Sequence, residues 1–411
     1  MVRIIYGLIL GIFYLGIRIV SIFNKKARLW VCGRKGIWQK IYNEAGSKED
    51  IIWFHCASLG EFEQGRPVIE EYKKRNPHAY ILLTFFSPSG FEVQKNYKEA
   101  DSVFYLPLDF RKNAKRFLDL IRPKIVVFIK YEFWYHYLHE LWLRGIPTFL
   151  ISANFRNNQW FFKWYGKPFR KVLGFFEHIF VQNEKSVKIL VSHDLHKVTV
   201  AGDTRFDRVF HIAQHKKKIP LAEAFKQQKT VVIAGSTWKE DEELLIRYIN
   251  ETERDIKWII APHEVHARHI GQIEASLRKT FIKYSVADIN SVADPRVLII
   301  DNIGLLSSLY AYAEIAYVGG GFGTGIHNIL EPATFCIPVV FGPDFKKFQE
   351  AIDLIQLGGG VSIRSYEELI NIFNTYLNTS EHLKKSGKIA CEYVRNKLGA
   401  TKMIVDNLLN V

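Results

Sequence analysis

The chain has 411 residues, of which 48% are hydrophobic and 14% aromatic, which is enough apolar material for two domains with separate cores. Its net charge of +14 favours an anionic partner, which can be nucleic acid, a phosphorylated substrate or an anionic membrane surface. The four cysteines show no CxxC spacing, which argues against a structural zinc site and for a reducing compartment.

The N-terminal segment is apolar and is followed by positive charge. Fourteen uncharged, mostly apolar residues separate Arg3 from Arg18. As a helix they would span about 21 Å, less than the ~30 Å hydrocarbon core, but the segment reaches Phe23 if Arg18 extends its charge to the interface. Basic residues follow at Lys25, Lys26, Arg28, Arg34 and Lys35, and such residues mark the cytoplasmic side. We predict that residues 1–23 form a membrane anchor that spans the bilayer or lies in its surface, with a signal peptide or a buried core helix as alternatives.

From Asp50 onward, short apolar runs alternate with helical patterns. The predicted strands of the first half are 51–56, 79–84, 103–106, 125–129, 148–152, 179–182 and 198–200. A polar, basic passage from His211 to Pro220 follows, and the alternation restarts with predicted strands at 230–234, 257–261, 297–300, 315–318 and 339–341. This alternation predicts parallel sheets that are covered by helices on both faces.

The same pattern predicts the domain organisation of an α/β protein with two Rossmann-like domains that face one another. The first domain covers 24–210, a linker covers 211–221, and the second domain covers 222–385. A C-terminal helix over 386–411 can cross back to the first domain. Ligands of such sheets bind beyond the carboxyl ends of the strands, so the residues that follow strands are the site candidates.

The stretch from Tyr317 to Phe335 carries the clearest binding motif. An apolar run leads into three glycines, and two more glycines precede His327-Asn328-Ile329-Leu330-Glu331-Pro332. Glycines bring loop amides close to a ligand, a helix start suits a phosphate, and Glu331 can accept hydrogen bonds from ribose hydroxyls. The alternative is a helix cap, formed either by Asn328 with Glu331 or by Glu331 alone before Pro332.

Two carboxylates follow predicted strands of the first half. Glu61 comes after the turn Ser58-Leu59-Gly60, where it can act as a general base on a hydroxyl. Ser58 and Glu61 also have the spacing of a capping box, which is the alternative. Glu132 ends a strand in a mostly aromatic setting, and its alternative role is an ion pair with Lys130.

Two further segments have a distinctive composition. The segment from Arg156 to Lys171 holds five basic residues, six aromatic residues and no acid. It is either a solvated basic helix or a contact for membrane headgroups, and the predicted anchor favours the second. His263, His266 and His269 are spaced by three, but no HExxH order or carboxylate partner accompanies them, so we expect no metal.

Eight motifs, each at a predicted strand end, occur in order along the chain. They are WFHCASLGE (53–61), TFFSPSG (84–90), YLPLD (105–109), YEFW (131–134), NFR (154–156), GDTRFD (202–207), GST (235–237), and HNILEP (327–332) with GP (342–343). Together they resemble the Kdo transferase family (3-deoxy-D-manno-octulosonate transferases), membrane-associated GT-B glycosyltransferases of lipopolysaccharide synthesis. The similarity runs from the anchor to about Gly360.

The resemblance implies roles for particular residues. The catalytic base of the family falls on Glu61, and a second acidic position falls on Glu132. The motif that binds the cytidine nucleotide falls on Asn328, Ile329, Leu330 and Glu331. Further nucleotide contacts are implied for Ser236, Thr237, Pro262, His263, Ile303, Gly304 and Leu305, and acceptor contacts for Ser58, Gly60 and Arg156.

Three positions depart from the family pattern. The family's Pro-Arg-His is Pro262-His263-Glu264 here, so a donor-phosphate arginine is lost or replaced by His263 or Arg268. The family's Gly-Glu is Gly304-Leu305, so one acidic contact is missing. The family's Asn-Ala-Arg-Leu-Ser pattern is kept only at Asn154 and Arg156.

The resemblance implies inverting transfer of Kdo from CMP-Kdo to a phosphorylated lipid A precursor. It places a monomer at the cytoplasmic face of the inner membrane, on an anionic membrane surface, with no cofactor, metal or nucleic acid. One alternative is another GT-B enzyme or a sugar-nucleotide epimerase with a UDP donor. The other is a membrane-bound binding protein with a decayed site, which His263 and Leu305 favour and which Glu61, Asn328 and Glu331 oppose.

Overall fold

The computed structural model describes residues 2–323 and 325–411, without the side chains of residues 2–5, 165 and 168. The chain divides into two compact units. The first unit consists of Met1–Asp207 and Leu398–Val411, and the second unit of Arg208–Lys397. Each unit contains a seven-stranded sheet in which neighbouring strands are parallel. The predicted α/β class with two Rossmann-like sheets is therefore confirmed.

The sheet of the first unit has the strand order β3-β2-β1-β4-β5-β6-β7. Its strands are β1 (Ile51–Cys56), β2 (Tyr80–Phe85), β3 (Ser102–Tyr105), β4 (Ile125–Ile129), β5 (Thr148–Ala153), β6 (His178–Val181) and β7 (Val198–Val200). All of β1 is buried, because successive side chains enter opposite cores: Trp53 packs in one core and Phe54 in the other.

Helices cover both faces of this sheet. They are α1 (Val2–Val20), α2 (Lys25–Cys32), α3 (Ile37–Ala45), α4 (Leu59–Arg75), α5 (Pro88–Gln94), α6 (Arg111–Ile121), α7 (Tyr135–Leu143), α8 (Lys167–Arg170), α9 (Glu184–Val191) and α10 (Thr204–Gln214). Three 3-10 helices, Trp160–Phe162, Trp164–Gly166 and Lys171–Phe175, flank α8. The segment from Arg156 to Lys171 is therefore a series of short turns, and the regular basic helix considered as one alternative is wrong.

The sheet of the second unit has the order β10-β11-β9-β8-β12-β13-β14. Its strands are β8 (Thr230–Thr237), β9 (Ile256–Pro262), β10 (Phe281–Lys283), β11 (Val297–Ile299), β12 (Ile315–Val318), β13 (Val339–Phe341) and β14 (Gly360–Ser362). The helices are α11 (Pro220–Lys226), α12 (Lys239–Glu251), α13 (Ala267–Ser276), α14 (Leu306–Leu309), α15 (Leu330–Thr334), α16 (Gln349–Leu357), α17 (Tyr366–Asn378) and α18 (Ser380–Arg395), with a 3-10 helix at Tyr310–Tyr312. The last helix, α19 (Ala400–Leu409), belongs to the first unit.

Three further differences from the sequence prediction concern two edge strands, the linker and the C-terminal segment. Strands β10 and β14 were not predicted, because each is a three-residue edge strand too short to show periodicity. Helix α10 extends to Gln214, so the start of the predicted linker is helical. Residues 386–411 form two helices rather than one, and Ile404 and Leu408 of α19 enter a core of the first unit.

One face of helix α1 packs on the rest of the first unit. Tyr6 donates to the buried Asp109 over 2.7 Å, and Leu10 is buried. The opposite face is apolar and exposed at Leu8, Ile12 and Leu15. Within residues 2–323 and 325–411, none of the helices has the length and apolar content needed to cross a bilayer.

Two of the four cysteines are paired in the structure. Cys336, just after α15, forms a disulfide with Cys391 of α18. The sequence had favoured a reducing compartment because the cysteines are scattered along the chain. Local spacing carries no information on pairs that the fold brings together.

Candidate active site

Glu61 lies at the carboxyl end of β1, in the first turn of α4, and is partly buried. The Ser58 hydroxyl donates to Glu61 Oε2, and the Ser58 side chain makes no capping hydrogen bond to the helix backbone. The capping box considered for Ser58 and Glu61 is therefore not formed. A carboxylate beside a hydroxyl at this edge of the sheet can accept a proton from a bound alcohol.

Glu132, which follows β4, is held by two aromatic side chains. Its Oε2 lies 2.7 Å from Trp134 Nε1 and 3.3 Å from His55 Nε2, and 14% of its side chain is exposed. The indole has a single hydrogen, and the shorter distance to a charged acceptor assigns that hydrogen to Glu132. Glu132 is thus a carboxylate with donors on its inner side.

The proton on His55 follows from the residues behind it. Trp53 Nε1 donates to Thr84 Oγ1 over 2.8 Å, so the Thr84 hydroxyl is available to donate to His55 Nδ1, also over 2.8 Å. His55 Nε2 then carries the hydrogen and donates to Glu132. This chain of donors runs from the buried core to the Glu132 carboxylate.

The two carboxylates and Arg156 share one edge of the sheet, because β1, β4 and β5 are neighbours. Burial, followed by the charges of Glu61 and Glu132, raises the pKa of the Cys56 thiol at the end of β1. Arg156 follows β5 with an exposed side chain, and its charge opposes the rise in the pKa of Tyr131 that burial causes. The structure therefore brings Glu61, Glu132 and Arg156 together in the first unit.

Gly60 lies beside Ser58 in the first turn of α4. It is exposed, and a Cβ atom there would meet nothing nearer than Ser58 Oγ at 3.8 Å. The fold of the first unit thus does not require glycine at this position. The implied acceptor contacts of Ser58, Gly60 and Arg156 remain predictions.

Arg34 is a residue of this edge that the sequence did not single out. It was grouped with the basic residues after the apolar segment, but its guanidinium lies over the rings of Trp30 and Tyr105. It donates to the backbone oxygens of Phe86 over 2.8 Å and Leu106 over 3.0 Å. Burial lowers its pKa to about 9. Arg34 therefore fixes the loops that follow β2 and β3.

In the second unit, the glycine loop after β12 folds back on its own start. Gly325 N donates to Gly320 O over 2.9 Å, and His327 N donates to Gly319 O over 3.1 Å. Gly320 and Gly325 have φ values of +90° and +94°, which favour glycine. A Cβ atom on Gly319 would lie 2.4 Å from Ser236 O, so the loop can approach the end of β8 only without a side chain.

The end of β8 is anchored by a carboxylate that the sequence did not reveal. Asp241 is fully buried and accepts hydrogen bonds from Trp238 N over 2.9 Å, Tyr317 Oη over 2.7 Å and Gly320 N over 2.8 Å. Burial raises its pKa, and these three hydrogen bonds act in the opposite direction. Trp238 is the N-cap residue of α12.

Ser236 and Thr237 lie at a bulge where β8 meets β9. Ser236 has a φ of +53° and is partly buried, whereas the buried Thr237 donates to Glu242 over 2.8 Å. The Thr237 hydroxyl is therefore committed to a buried carboxylate. Of these two predicted nucleotide contacts, Ser236 has the more accessible side chain.

Asn328 and Glu331 contact one another at the start of α15. Asn328 Nδ2 donates to Glu331 Oε1 over 3.1 Å, and Asn328 Oδ1 accepts from Leu330 N over 3.1 Å. The N-cap of this five-residue helix is Ile329, and neither predicted cap is formed. Ile329 and Leu330 are buried, so their side chains support the backbone while Asn328 is exposed.

The remaining predicted nucleotide contacts lie beyond β9 and β11. Pro262 ends β9, and the exposed His263 ring stacks on Trp238 and His327. Ile303 is 87% exposed, Gly304 has a φ of +94°, and Leu305 packs against an apolar core. Leu305 is thus a packing residue where the family pattern has an acid.

The three spaced histidines have different partners. His269 pairs with Glu242 at 3.1 Å, His266 pairs with Glu264 at 3.2 Å, and His263 belongs to the ring stack. Within the described part of the chain, no group of three metal-ligating side chains is close enough to hold a metal ion.

Comparison with known proteins connects both edges to one family. Residues 33–208 match the model for "3-Deoxy-D-manno-octulosonic-acid transferase (kdotransferase)". The chain is 26% identical over 372 residues to the 3-deoxy-D-manno-octulosonic acid transferase of Haemophilus influenzae, a match that covers 87% of this chain and 86% of the relative. It is 28% identical over 344 residues to that of Aquifex aeolicus, a match that covers 82% and 89%.

A solved structure of known fold resembles the chain as well. UDP-GlcNAc 2-epimerase from Neisseria meningitidis gives a TM-score of 0.62 at 17% identity, over 88% of this chain and 100% of that one. At this identity the likeness shows a GT-B-like fold alone. The ordered motifs, the family match over residues 33–208 and the relatives that cover most of the chain all show similarity to the Kdo transferase family of glycosyltransferases.

Proposed function

We propose that the protein transfers Kdo from CMP-Kdo to a phosphorylated lipid A precursor with inversion of configuration. The observation that carries the proposal is Glu61, a partly buried carboxylate at the end of β1 that is hydrogen-bonded by Ser58 and is not used as a helix cap. The similarity to the Kdo transferase family supports Kdo as the sugar that is transferred. CMP-Kdo as the donor and a lipid A precursor as the acceptor are what the resemblance of the motifs implies.

In the proposed reaction, Glu61 takes the proton of a glucosamine hydroxyl of the acceptor. The hydroxyl oxygen forms a bond to the anomeric carbon of Kdo while the bond from that carbon to the phosphate oxygen of CMP breaks. CMP leaves with the electron pair, and the proton passes from Glu61 to solvent. Glu132 holds a second negative charge at this edge, where charge develops on the sugar ring.

The second unit supplies the donor site of the proposal. In the proposal, Asn328 and Glu331, whose side chains contact one another, bind the ribose, and Glu331 accepts hydrogen bonds from its hydroxyls. In the proposal, the glycine loop and Ser236 contact the phosphate. Pro262, His263, Ile303, Gly304 and Leu305 line the neighbouring strand ends.

The test is incubation of the purified protein with CMP-Kdo and a lipid A precursor, followed by mass spectrometry of the lipid. We expect the mass to increase by Kdo units and CMP to be released. Thermal stabilisation by CMP but not by UDP separates this reaction from the UDP-dependent alternative. An unmodified lipid, together with stabilisation by UDP alone, would overturn the proposal, and binding of CMP without turnover would favour the non-catalytic alternative.

We propose further that the protein works on the cytoplasmic face of the inner membrane and contacts anionic lipid through two surfaces. One is the exposed apolar face of α1, where Leu8, Ile12 and Leu15 are 62%, 73% and 63% exposed. The other is the segment from Arg156 to Lys171, where Trp164 is 89% exposed among basic residues. An apolar face beside positive charge suits an interfacial helix on an anionic bilayer.

Vesicle flotation at two salt concentrations tests this membrane contact. Replacing Leu8, Ile12 and Leu15 with serine should weaken binding to anionic vesicles, and the remaining binding should be released by high salt because exposed charges are screened. Val286→Ser, at an exposed apolar position of the second unit, is the control and should bind like the wild type. Equal binding of the triple variant and the wild type at high salt would exclude α1 as the apolar contact.

A further inference from the structure

Three rings from the carboxyl ends of neighbouring strands form one cluster in the second unit. We call Trp238, His263 and His327 the ring cluster. Trp238 Nε1 donates to His327 Nε2 over 2.9 Å, and the two rings are within 11° of parallel. The His263 ring stacks on both, with centroid distances of 4.7 Å to Trp238 and 4.5 Å to His327. Trp238 and His327 thus act as one bonded pair, with His263 over it.

The hydrogen bond from Trp238 decides which nitrogen of His327 carries the proton. An indole nitrogen can only donate, so His327 Nε2 must accept and has no hydrogen. A neutral imidazole then carries its hydrogen on Nδ1, which becomes a donor. Burial, and after it the neighbouring His263, lower the pKa of His327 to about 4, so the neutral form is present at neutral pH.

The nearby carboxylates of the second unit have donors of their own. Asp241 accepts from the backbone of Trp238, from Tyr317 and from Gly320, and Glu242 accepts from Thr237 and His269. Among the described residues, none accepts a hydrogen bond from His327 Nδ1. This donor is therefore available to a ligand.

His327 stands directly before the residues of the proposed nucleotide site. Its backbone N–H closes the glycine loop on Gly319 O, and the next residue, Asn328, donates to Glu331. An N–H donor in a partly buried position is best satisfied by a charged acceptor, because charge-assisted hydrogen bonds are about twice as strong as neutral ones. The position thus favours an oxyanion over a neutral carbonyl.

We infer that Trp238 is a positioning residue that holds His327 as an Nδ1–H donor, and that this donor binds an oxyanion of the sugar nucleotide. The inference rests on the proposed function, since it takes CMP-Kdo as the ligand. CMP-Kdo carries two oxyanions, the phosphate and the carboxylate of the sugar acid. His263 covers one face of the bonded pair.

The tautomer can be measured without any ligand. In full-length protein with 15N-labelled histidine, the imidazole NMR signals of His327 should show a hydrogen on Nδ1 and a lone pair on Nε2. Trp238→Phe keeps a ring but removes the indole N–H, so the Nε2-protonated form should appear. His269, which pairs with Glu242, serves as the internal control and should not change. An unchanged His327 pattern in Trp238→Phe would overturn the positioning role of Trp238.

Binding measurements identify the oxyanion. His327→Phe removes both nitrogens, whereas His327→Asn keeps a donor near the position of Nδ1. If the phosphate is the ligand, His327→Phe should weaken CMP binding about 10- to 100-fold and leave cytidine binding unchanged. If the carboxylate is the ligand, CMP affinity should be kept while the KM for CMP-Kdo rises by a similar factor. In either case, the affected quantity, CMP affinity or the KM for CMP-Kdo, should change less in His327→Asn than in His327→Phe. The value for Trp238→Phe should lie between those of His327→Phe and the wild type.

These outcomes separate the inference from the proposed function. Wild-type protein that turns over CMP-Kdo, with His327→Phe equal to it in CMP affinity and in KM, would overturn the oxyanion role and leave the proposed function intact. Wild-type protein without affinity for CMP or CMP-Kdo would overturn both the proposed function and the ligand of His327. The NMR result would still decide the role of Trp238 in that case.

Discussion

Both units place a tryptophan and a histidine at the carboxyl edge of a parallel sheet, but with opposite surroundings. In the first unit, Trp134 and His55 both direct hydrogens at the Glu132 carboxylate, over 2.7 Å and 3.3 Å. In the second unit, Trp238 donates to His327 itself, over 2.9 Å, and no described carboxylate pairs with that imidazole. The same pair of residue types therefore stabilises an acceptor in one unit and creates a donor in the other.

The loops at the two edges also differ in their glycine content. In the second unit, glycines at 319, 320 and 325 bring the loop amides close to the end of β8. In the first unit, the corresponding turn after β1 carries Ser58 and Glu61, and its Gly60 has room for a side chain. Under the proposed function, the first edge serves proton transfer and the second holds an anionic ligand. Four changes test that contrast.

The largest expected effect is the loss of rate in Glu61→Gln. Glutamine keeps the size of the side chain but cannot take a proton, and loss of a general base typically lowers the rate ~100- to 10,000-fold. Transfer of Kdo to a lipid A precursor and thermal unfolding are the measurements, and stability should be nearly unchanged. Glu63→Gln, two residues further along α4, is the matched control. Near-full turnover in Glu61→Gln would show that the first edge does not supply the base.

The second effect is on ligand affinity in the other unit. Glu331→Ala should weaken CMP about 10- to 100-fold, because a hydrogen bond to a charged group typically contributes ~1.5–3 kcal/mol. A 2′,3′-dideoxy CMP analogue should bind the wild type about as poorly and lose little more on the variant, as measured by calorimetry. Glu223→Ala, at an exposed acid of α11, is the control. Unchanged CMP affinity in a destabilised Glu331→Ala protein would assign Glu331 a purely structural role.

A smaller effect is expected for Trp134→Phe. The change removes the indole hydrogen from Glu132 and leaves the hydrogen bond from His55, so the loss of one bond to a charged group should lower kcat about 10-fold. CMP affinity should stay at the wild-type value, because Trp134 lies in the first unit. Kinetics and calorimetry on the same preparation make the comparison. Weaker CMP binding in Trp134→Phe would contradict the prediction that CMP binds to the second unit alone.

The smallest effect concerns stability and pH. The pKa of His327 is lowered to about 4 from an ordinary 6.5, so the unfolded chain binds a proton between these values and the folded protein does not. Stability should therefore fall as the pH decreases from 6.5, by no more than about 1 kcal/mol per pH unit for this partly exposed group. Denaturant unfolding of the wild type and of His327→Asn at pH 6.5 and 5.5 measures the difference. His215→Asn, at an exposed histidine, is the control and should lose as much stability between pH 6.5 and 5.5 as the wild type. If His327→Asn also loses as much stability as the wild type, the prediction is wrong.

The sequence by itself determined the features that depend on neighbouring residues. Hydrophobic runs predicted β1 over 51–56 as observed and β9 within one residue at each end. The order of strand-end motifs predicted the family, because each motif needs only a strand, a turn and a few polar residues. The positions of Glu61, Glu132 and Asn328 at sheet edges followed from the same local patterns.

Tertiary structure alone decided the partners of those residues. Ser58 donates to Glu61 and Asn328 donates to Glu331, although both pairs had the spacing of a cap. Asp241 supports the glycine loop, Arg34 lies over aromatic rings, and Cys336 pairs with Cys391. The ring cluster joins residues from the ends of three different strands. Hydrogen bonds and stacking between such distant residues depend on strand order and close packing, and a single sequence carries no local pattern for either.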